Sequence, residues 1–188
     1  VANSFSALNV FEETVNIPLV NDGTGKNYGL EISAQQYFSN NTFWLTNVSL
    51  YESKYKGSDG IERDTRFNGN FQLNLLGGKE FKVGKRKTNI IGLNGKVVLS
   101  GGNRFTPIDI EASKAQGEDI RFQNRRFEER AGTYYRFDIG ISYKINKKKT
   151  THSIMLDIQN ITNRLNIYSQ FYNEDTNALD NYYQTGLF

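Results

Sequence analysis

The most constraining feature of this 188-residue chain is the alternation of apolar and polar residues across residues 134–145. The apolar residues occupy the odd positions: Tyr135, Phe137, Ile139, Ile141, Tyr143 and Ile145. The polar residues and a glycine occupy the even positions: Arg136, Asp138, Gly140, Ser142 and Lys144. Successive side chains of a strand point to opposite faces, whereas a helix would mix both kinds on every side. The pattern therefore predicts a strand with one apolar and one polar face.

The same period of two recurs along the chain. It predicts antiparallel strands near residues 28–38, 42–53, 66–80, 88–101, 133–145, 151–161 and 179–188, each joined to its neighbour in sequence. The 11 Tyr and 13 Phe residues agree with this assignment, because flat aromatic side chains pack well on a pleated surface. Helical membrane spans are excluded, since no apolar run approaches the roughly 18 residues that such a span needs.

The connections between these strands differ in length in a regular way. Residues 39–41, 84–87 and 146–149 form short polar turns, whereas residues 52–66, 102–132 and 162–180 form long polar connections. Following the strands up and down places every short turn at one edge of the sheet and every long loop at the other. Outer-membrane barrels sort their connections in this way and carry aromatic girdles at both interfaces. We therefore predict an all-β, antiparallel, up-and-down transmembrane β-barrel, of which this chain supplies about seven or eight strands.

Seven short stretches carry a family resemblance. They are KNYGLE at residues 26–31, SKYKGSDG at 53–60, RFNGN at 66–70, GGNRFTPID at 101–109, YRFD at 135–138, LDIQNITNR at 156–164 and YQTGLF at 183–188. In this order they resemble the C-terminal barrel region of TonB-dependent outer-membrane receptors. The resemblance is to the branch with a carboxypeptidase-regulatory-like domain before the plug, and it covers nearly the whole chain.

The resemblance implies a single-chain barrel of about 22 strands in the outer membrane, closed by an N-terminal plug. Such a receptor imports a scarce nutrient ligand (a siderophore, a glycan or similar) with energy delivered by TonB. The sequence departs from the family pattern, because it has no plug, no TonB-contacting segment and too few strands to close the barrel. It also stops at Leu187-Phe188, where family members continue through a last aromatic-ended strand. We expect residues 1–188 to be a C-terminal barrel segment whose partners are outer-membrane lipid, the plug domain, the remaining strands and, through the absent N-terminal part, TonB.

Two groups of residues are candidates for function. The first consists of polar residues expected to face the barrel lumen: Glu31, Asn94, Lys96, Arg136, Asp138, Asp157 and Gln159. The second lies in the longest loop, where planar cations, carboxylates and rings alternate, and is represented by Arg121, Arg125, Arg126 and Phe127. That chemistry suits ligand capture, and it equally suits Arg–Glu pairs that order the loop. Both interpretations stay open at this point.

Periodicity alone does not distinguish an apolar face against lipid from one against protein. The alternative is therefore a soluble antiparallel β-sandwich that binds carbohydrate through exposed aromatics. An enzyme is not expected, since no carboxylate pair, catalytic triad or metal cluster emerges, and no cofactor is expected. Nucleic acid is not expected either, because the net charge of +3 arises from basic residues spread among almost as many acidic ones.

Four weaker motifs have ordinary explanations that we favour. Residues 23–26 resemble part of a phosphate loop but lack its first glycine and its final Ser or Thr. His152 is the only histidine and lacks the partner residues that a metal site would need. Residues 173–177 resemble a calcium loop without its glycine and final glutamate, and Asx turns explain the same residues. The basic runs 85–87 and 147–149 fit solvated turns, with contact to anionic headgroups as a second possibility.

Overall fold

The computed structural model describes residues 3–10, 16 and 18–187. It is all-β, with 55% strand and 7% helix. The strands are β1 Thr24–Ser39, β2 Thr42–Lys56, β3 Glu62–Asp64, β4 Phe71–Val83, β5 Asn89–Ser100, β6 Arg104–Phe105, β7 Glu129–Arg130, β8 Tyr134–Asn146, β9 Thr151–Ile158, β10 Ile167–Asn173 and β11 Ala178–Tyr183. One α-helix, α1, spans Ile110–Gln116, and short 3-10 turns span Ala7–Asn9 and Gln123–Arg125.

One antiparallel sheet dominates the structure. Its strands lie in the order β1-β2-β4-β5-β8-β9, and the short β3 pairs with the end of β2. Two further two-stranded sheets, β6-β7 and β10-β11, stand apart from it. Within the described ranges β1 and β9 each pair on one side only, so the sheet has two open edges. The expected antiparallel, up-and-down strands are thus confirmed.

The lengths of the connections sort as the sequence predicts. Residues 40–41, 84–88 and 147–150 join strands by short turns at what we call the short-turn edge. Residues 57–70, 101–133 and the chain after β9 form what we call the long-loop edge. Asn40, Asn41 and Lys87 adopt positive φ values in the short turns, a conformation that asparagine tolerates better than most residues.

The strand register joins the apolar positions of all six long strands into one continuous surface. One row across the sheet runs from Ile32 through Val48, Leu73 and Leu99 to Tyr135. A parallel row continues to β9, where Leu93 lies opposite Ile141 and Ile141 opposite Leu156. We call this surface the apolar face and the opposite one the polar face.

Little covers the apolar face among the described residues. Leu30 is 61% exposed, Ile141 45% and Leu156 58%. The buried hydrophobic residues of the described chain, in contrast, are few and lie near the end of β2, in the longest loop or in the β10-β11 hairpin: Tyr55, Ile108, Ala131 and Tyr172. The main sheet therefore has no second layer of protein against its apolar face within the described part of the chain.

The structure corrects two details of the strand assignment. Residues 167–173, expected within a long connection, form β10, and the last strand pairs with β10 instead of with the main sheet. A register shift between Ile167 and Ser169 interrupts the alternation there, which hides the strand from periodicity. In addition, β4 begins at Phe71 rather than near residue 66, because residues 65–70 form a turn that ends on Asn70 at φ 70°.

Candidate functional site

The polar candidates predicted from the sequence lie on one face of the main sheet. The register places Asn94 opposite Gly140, and Gly140 opposite Asp157. It also places Lys96 opposite Asp138, with Arg136 two residues away on the same face. Glu31 lies on the same face of β1, where its Oε1 accepts a hydrogen bond from Asn47 Nδ2 at 2.7 Å.

Gly140 is the point where two of these candidates approach each other across three strands. A Cβ atom at this position would come within 2.5 Å of both Asn94 Nδ2 and Asp157 Oδ1. The missing side chain therefore leaves the space that the Asn94 amide and the Asp157 carboxylate occupy from either side. Any larger residue would displace at least one of these polar groups.

A second polar group joins the sheet to the chain that follows β9. Arg136 Nε and Nη2 donate to Asp138 Oδ2 at 3.0 and 2.8 Å, and Asn160 N donates to Asp138 Oδ1 at 2.9 Å. Asn160 is 2% exposed, and its Nδ2 donates to Arg164 O at 2.9 Å. Gln159 directly follows β9 and lines a small polar cavity of about 70 Å³ beside Arg136. The candidate residues thus form a polar wall in which the charges of Arg136 and Asp138 are paired.

The loop candidates are mostly engaged in holding the long loops together. Arg121 donates to Thr106 O at 2.8 Å and to Gln170 O at 2.7 Å, which ties the longest loop to β10. Arg126 is half-buried; it donates to Ser4 Oγ at 3.1 Å and lies over the Phe5 ring.

Phe127 and Arg125 complete this part of the loop. The Phe127 ring meets Tyr55 edge-on, at 6.2 Å between centroids. Arg125, in contrast, points outward and pairs with Glu128 at 2.6 Å. The hydrogen bond from Arg125 lowers the pKa of the Glu128 carboxyl. Of the four loop candidates, Arg125 is the one left exposed to solvent.

Sequence reasoning missed a fully buried polar residue of the long-loop edge. Asn68 is 0% exposed, and its Nδ2 donates to Asp64 Oδ1 at 2.6 Å and to Glu52 Oε2 at 3.0 Å. Its Oδ1 accepts from Ser53 N at 3.0 Å. Arg104 Nη1 reaches Asp64 Oδ2 at 2.9 Å. The available signal was the presence of oppositely charged residues in three short stretches: Glu52 and Lys54 in β2, Asp64 in β3 and Arg104 in β6.

The electrostatics of Asp64 follow from this surrounding. Burial by itself raises the pKa of the Asp64 carboxyl, but hydrogen bonds from Lys54 and Asn68 and the charge of Arg104 outweigh it. The net result is an Asp64 pKa below its ordinary value, so the carboxylate is charged at neutral pH. Lys54 Nζ lies 2.8 Å from Asp64 Oδ1. The group is therefore a charge-balanced clamp that fixes the loops leaving β2 and β5.

The weaker motifs have plain structural roles. Thr24, Gly25 and Lys26 belong to β1, and Lys26 pairs with Glu62 at 2.7 Å. Asn173 Oδ1 accepts from the amides of residues 175 and 176, which is the Asx-turn chemistry expected there. His152 lies at the start of β9 opposite Ile145. Within residues 3–10, 16 and 18–187, no three metal-ligating His, Cys, Asp or Glu side chains gather.

An open cleft of about 450 Å³ lies at the long-loop end of the β1-β2 hairpin. Tyr28, Tyr51, Glu52 and Phe67 contribute to its lining. Tyr51 crosses over Gly29, where a Cβ atom would come within 2.9 Å of the Tyr51 Cβ atom. The cleft combines aromatic rings with a carboxylate at the edge where the long loops gather.

No helix in the described part of the chain is long and apolar enough to cross a membrane. Comparison with family models, with curated proteins and with solved structures found no match to this chain.

Proposed function

We propose that this chain forms part of the barrel wall of a TonB-dependent receptor in a Gram-negative outer membrane. The apolar face contacts lipid, and the polar face with Glu31, Asn94 and Asp157 lines the lumen beside the plug. The long loops lie outside the cell and contribute to capture of a scarce nutrient ligand such as a siderophore or a glycan.

The observation that carries this proposal is the uncovered apolar face. It extends over six neighbouring strands and is opposed by a polar face on the same strands. Soluble monomers rarely expose contiguous apolar patches beyond roughly 300–600 Å². Barrel strands in lipid, in contrast, alternate between an apolar outside and a polar inside. Lipid is therefore the surrounding that suits these side chains.

The stretches that carry the family resemblance also support the proposal, because they meet in space. Ser53 N, from residues 53–60, donates a hydrogen bond to Asn68 Oδ1, from residues 66–70. Arg104, from residues 101–109, donates through Nε to Asn68 O at 3.1 Å. Asp138 and Asn160, from two further stretches, are joined by a 2.9 Å hydrogen bond. Hydrogen bonds thus connect stretches that are far apart in sequence. A set of motifs shared by a family is expected to stabilise one fold in this way.

The soluble sandwich alternative has less support. A sandwich needs a second sheet packed about 10 Å from the first. The described residues supply only two two-stranded sheets besides the main one, and the apolar side chains of β1 and β9 remain exposed. Nothing in the geometry favours carbohydrate binding over lipid contact at this face.

Sedimentation velocity in buffer, with and without a nonionic detergent, tests the proposal. We expect aggregation in buffer and a single detergent-bound species in detergent. Replacing Leu30 and Ile32 on the apolar face of β1 with Asn should reduce the bound detergent. The matched pair Glu31→Asn and Ser33→Asn, on the polar face of the same strand, should leave it unchanged. A monodisperse, cooperatively folding monomer without detergent would overturn the proposal.

A further inference from the structure

Two basic turns of the short-turn edge are adjacent in space although about 60 residues apart in sequence. We call them together the basic edge, which consists of Lys85, Arg86, Lys87, Lys147, Lys148 and Lys149. The first turn joins β4 to β5 and the second joins β8 to β9, and β5 pairs with β8. Asn146 fastens them together, since its N donates to Asn89 Oδ1 at 3.2 Å and its Nδ2 to Thr88 O at 2.7 Å.

The charges of the basic edge are not neutralised within the described part of the chain. All six side chains belong to exposed residues, and the ion pairs of the described residues include none of them. The nearest carboxylate in sequence, Glu80, is already paired with Lys144 at 2.9 Å. More than half of the acidic residues lie in the long connections. The long connections balance their nine Lys and Arg residues with twelve Asp and Glu residues, whereas the two basic turns hold six cations and no carboxylate. Net positive charge is therefore concentrated at the basic edge.

The basic edge directly adjoins aromatic residues of the apolar face. Phe81 and Tyr143 both lie opposite Ile91, so they flank one position of β5 near the turns. Asn89 Nδ2 donates to the Tyr143 hydroxyl at 3.2 Å, which points the polar tip of that ring towards the turn. Lys79 lies on the same face two residues further from the turn, and its Nζ is 5.6 Å from the Phe81 ring centre; it does not belong to the basic edge. From the middle of the sheet towards the turns, the apolar face is thus followed by Phe81 and Tyr143, which we call the aromatic row, and then by the cations of the basic edge. A bilayer has the same order of hydrocarbon, interface and headgroups.

We propose that the basic edge binds the headgroups of anionic phospholipids in the leaflet that it faces. The inference rests on the proposed function, because it needs the apolar face to lie in lipid. The cations stand just beyond the aromatic row, where phosphate groups of the leaflet would lie. Neither basic turn interleaves its cations with aromatic residues on which nucleic-acid bases could stack. The neutral β1-β2 turn, Asn40-Asn41, carries no charge and takes no part.

Fluorescence quenching by brominated lipids measures whether the basic edge prefers anionic lipids to neutral ones. The variant Trp44→Phe/Tyr143→Trp carries its only tryptophan beside the basic edge. In mixed bilayers we expect brominated phosphatidylglycerol to be preferred over brominated phosphatidylcholine by at least about fivefold, the effect of one cation near an anionic surface. The preference should disappear at about 1 M salt, where the screening length falls to about 3 Å.

The matched variants remove the same charge from opposite edges. Adding Lys147→Gln and Lys148→Gln should lower the preference for phosphatidylglycerol several-fold. Adding Lys56→Gln and Lys114→Gln, at exposed positions of the long-loop edge, should leave it unchanged. Equal loss in both pairs, equal quenching by the two lipids, or displacement of phosphatidylglycerol by polyglutamate would overturn the inference.

Quenching of Trp44 in the unmodified chain distinguishes failure of the headgroup inference from failure of the proposed function. Trp44 lies on the apolar face of β2, away from the basic edge. Its quenching by brominated phosphatidylcholine reports whether the apolar face is in lipid at all. Quenching of Trp44 without a lipid preference at position 143 refutes the headgroup site alone. Absence of quenching at both positions refutes the membrane assignment, and the inference with it.

Discussion

Replacing Ile139 with arginine would place a charge at the middle of the apolar face of β8. Tyr135 and Tyr143 lie four residues away on either side of Ile139, on the same face. At about 3.4 Å per residue and a strand tilt of about 40°, each tyrosine stands about 10 Å from Ile139 along the bilayer normal. This is close to half of an apolar band about 25 Å tall, so the proposed barrel would place Ile139 near the midplane.

The expected cost of Ile139→Arg is about 2–4 kcal/mol of folding free energy in lipid. Ile141→Arg should cost less, because this position is only about 5 Å from the level of Tyr143 and the penalty falls towards the interface. Ser142→Arg, on the polar face, is the control, and we expect a cost below about 1 kcal/mol because the proposed lumen gives this position access to water. Gly140 is unsuitable as a control, since any side chain there meets Asn94 and Asp157.

Equilibrium unfolding by urea in lipid vesicles, followed by tryptophan fluorescence, measures these costs. We expect Ile139→Arg to lower the free energy of unfolding most, Ile141→Arg less and Ser142→Arg least. The first two differ in depth, and the third lies on the other face. Equal costs for Ile139→Arg and Ser142→Arg would refute the reasoning, because a sheet with protein on both faces would penalise both. A larger cost at position 141 than at 139 would refute the assigned depth.

Three further predictions concern the polar groups. Asn68→Ala should lower the free energy of unfolding by about 1–3 kcal/mol in chemical denaturation, because Ser53 N and two carboxylates lose a buried partner. Gly140→Ala should destabilise by about 1–3 kcal/mol through overpacking, whereas Gly132→Ala, with open space around it, should be nearly neutral in the same assay. The depressed pKa of Asp64 means that its stabilising effect is present above its unfolded value of about 3.9 and is lost as pH falls through the lower folded pKa. Unfolding midpoints measured between about pH 5 and 2 should therefore fall less steeply in Asp64→Asn, and an unchanged slope would contradict the clamp.

The sequence predicted the main sheet well because alternation is a local property. In β8 every second residue is apolar, and no knowledge of neighbours is needed to read the two faces. Alternation also assigns Glu31, Asn94 and Asp157 to one face of their strands, and the strand register puts them on one face of the sheet. That this face lines a lumen stays a prediction. What alternation cannot supply is the register itself, so the meeting of Asn94 and Asp157 over Gly140 required the structure.

Elements that are very short or interrupted escaped the sequence analysis. Helix α1 has seven residues, too few for a helical stripe, although Asp109 caps its first turn and Gly117 ends it at φ 70°. Strand β10 is interrupted by a register shift after Ile167, which breaks its period of two. The buried position of Asn68 depends on contacts with β2, with Asp64 and with Arg104, and no local sequence pattern predicts such a position.

Two adjacent residues of β2 report whether the two faces of the main sheet meet different solvents. Trp44 lies on the apolar face, and Leu45 lies on the polar face. A Trp44→Phe/Leu45→Trp variant moves the single tryptophan from one face to the other at nearly the same depth. We predict that brominated phosphatidylcholine quenches Trp44 strongly and the tryptophan at position 45 weakly, with acrylamide showing the reverse order. Equal quenching of the two positions by each agent would mean that both faces meet the same surroundings, contrary to the proposed lipid and lumen faces.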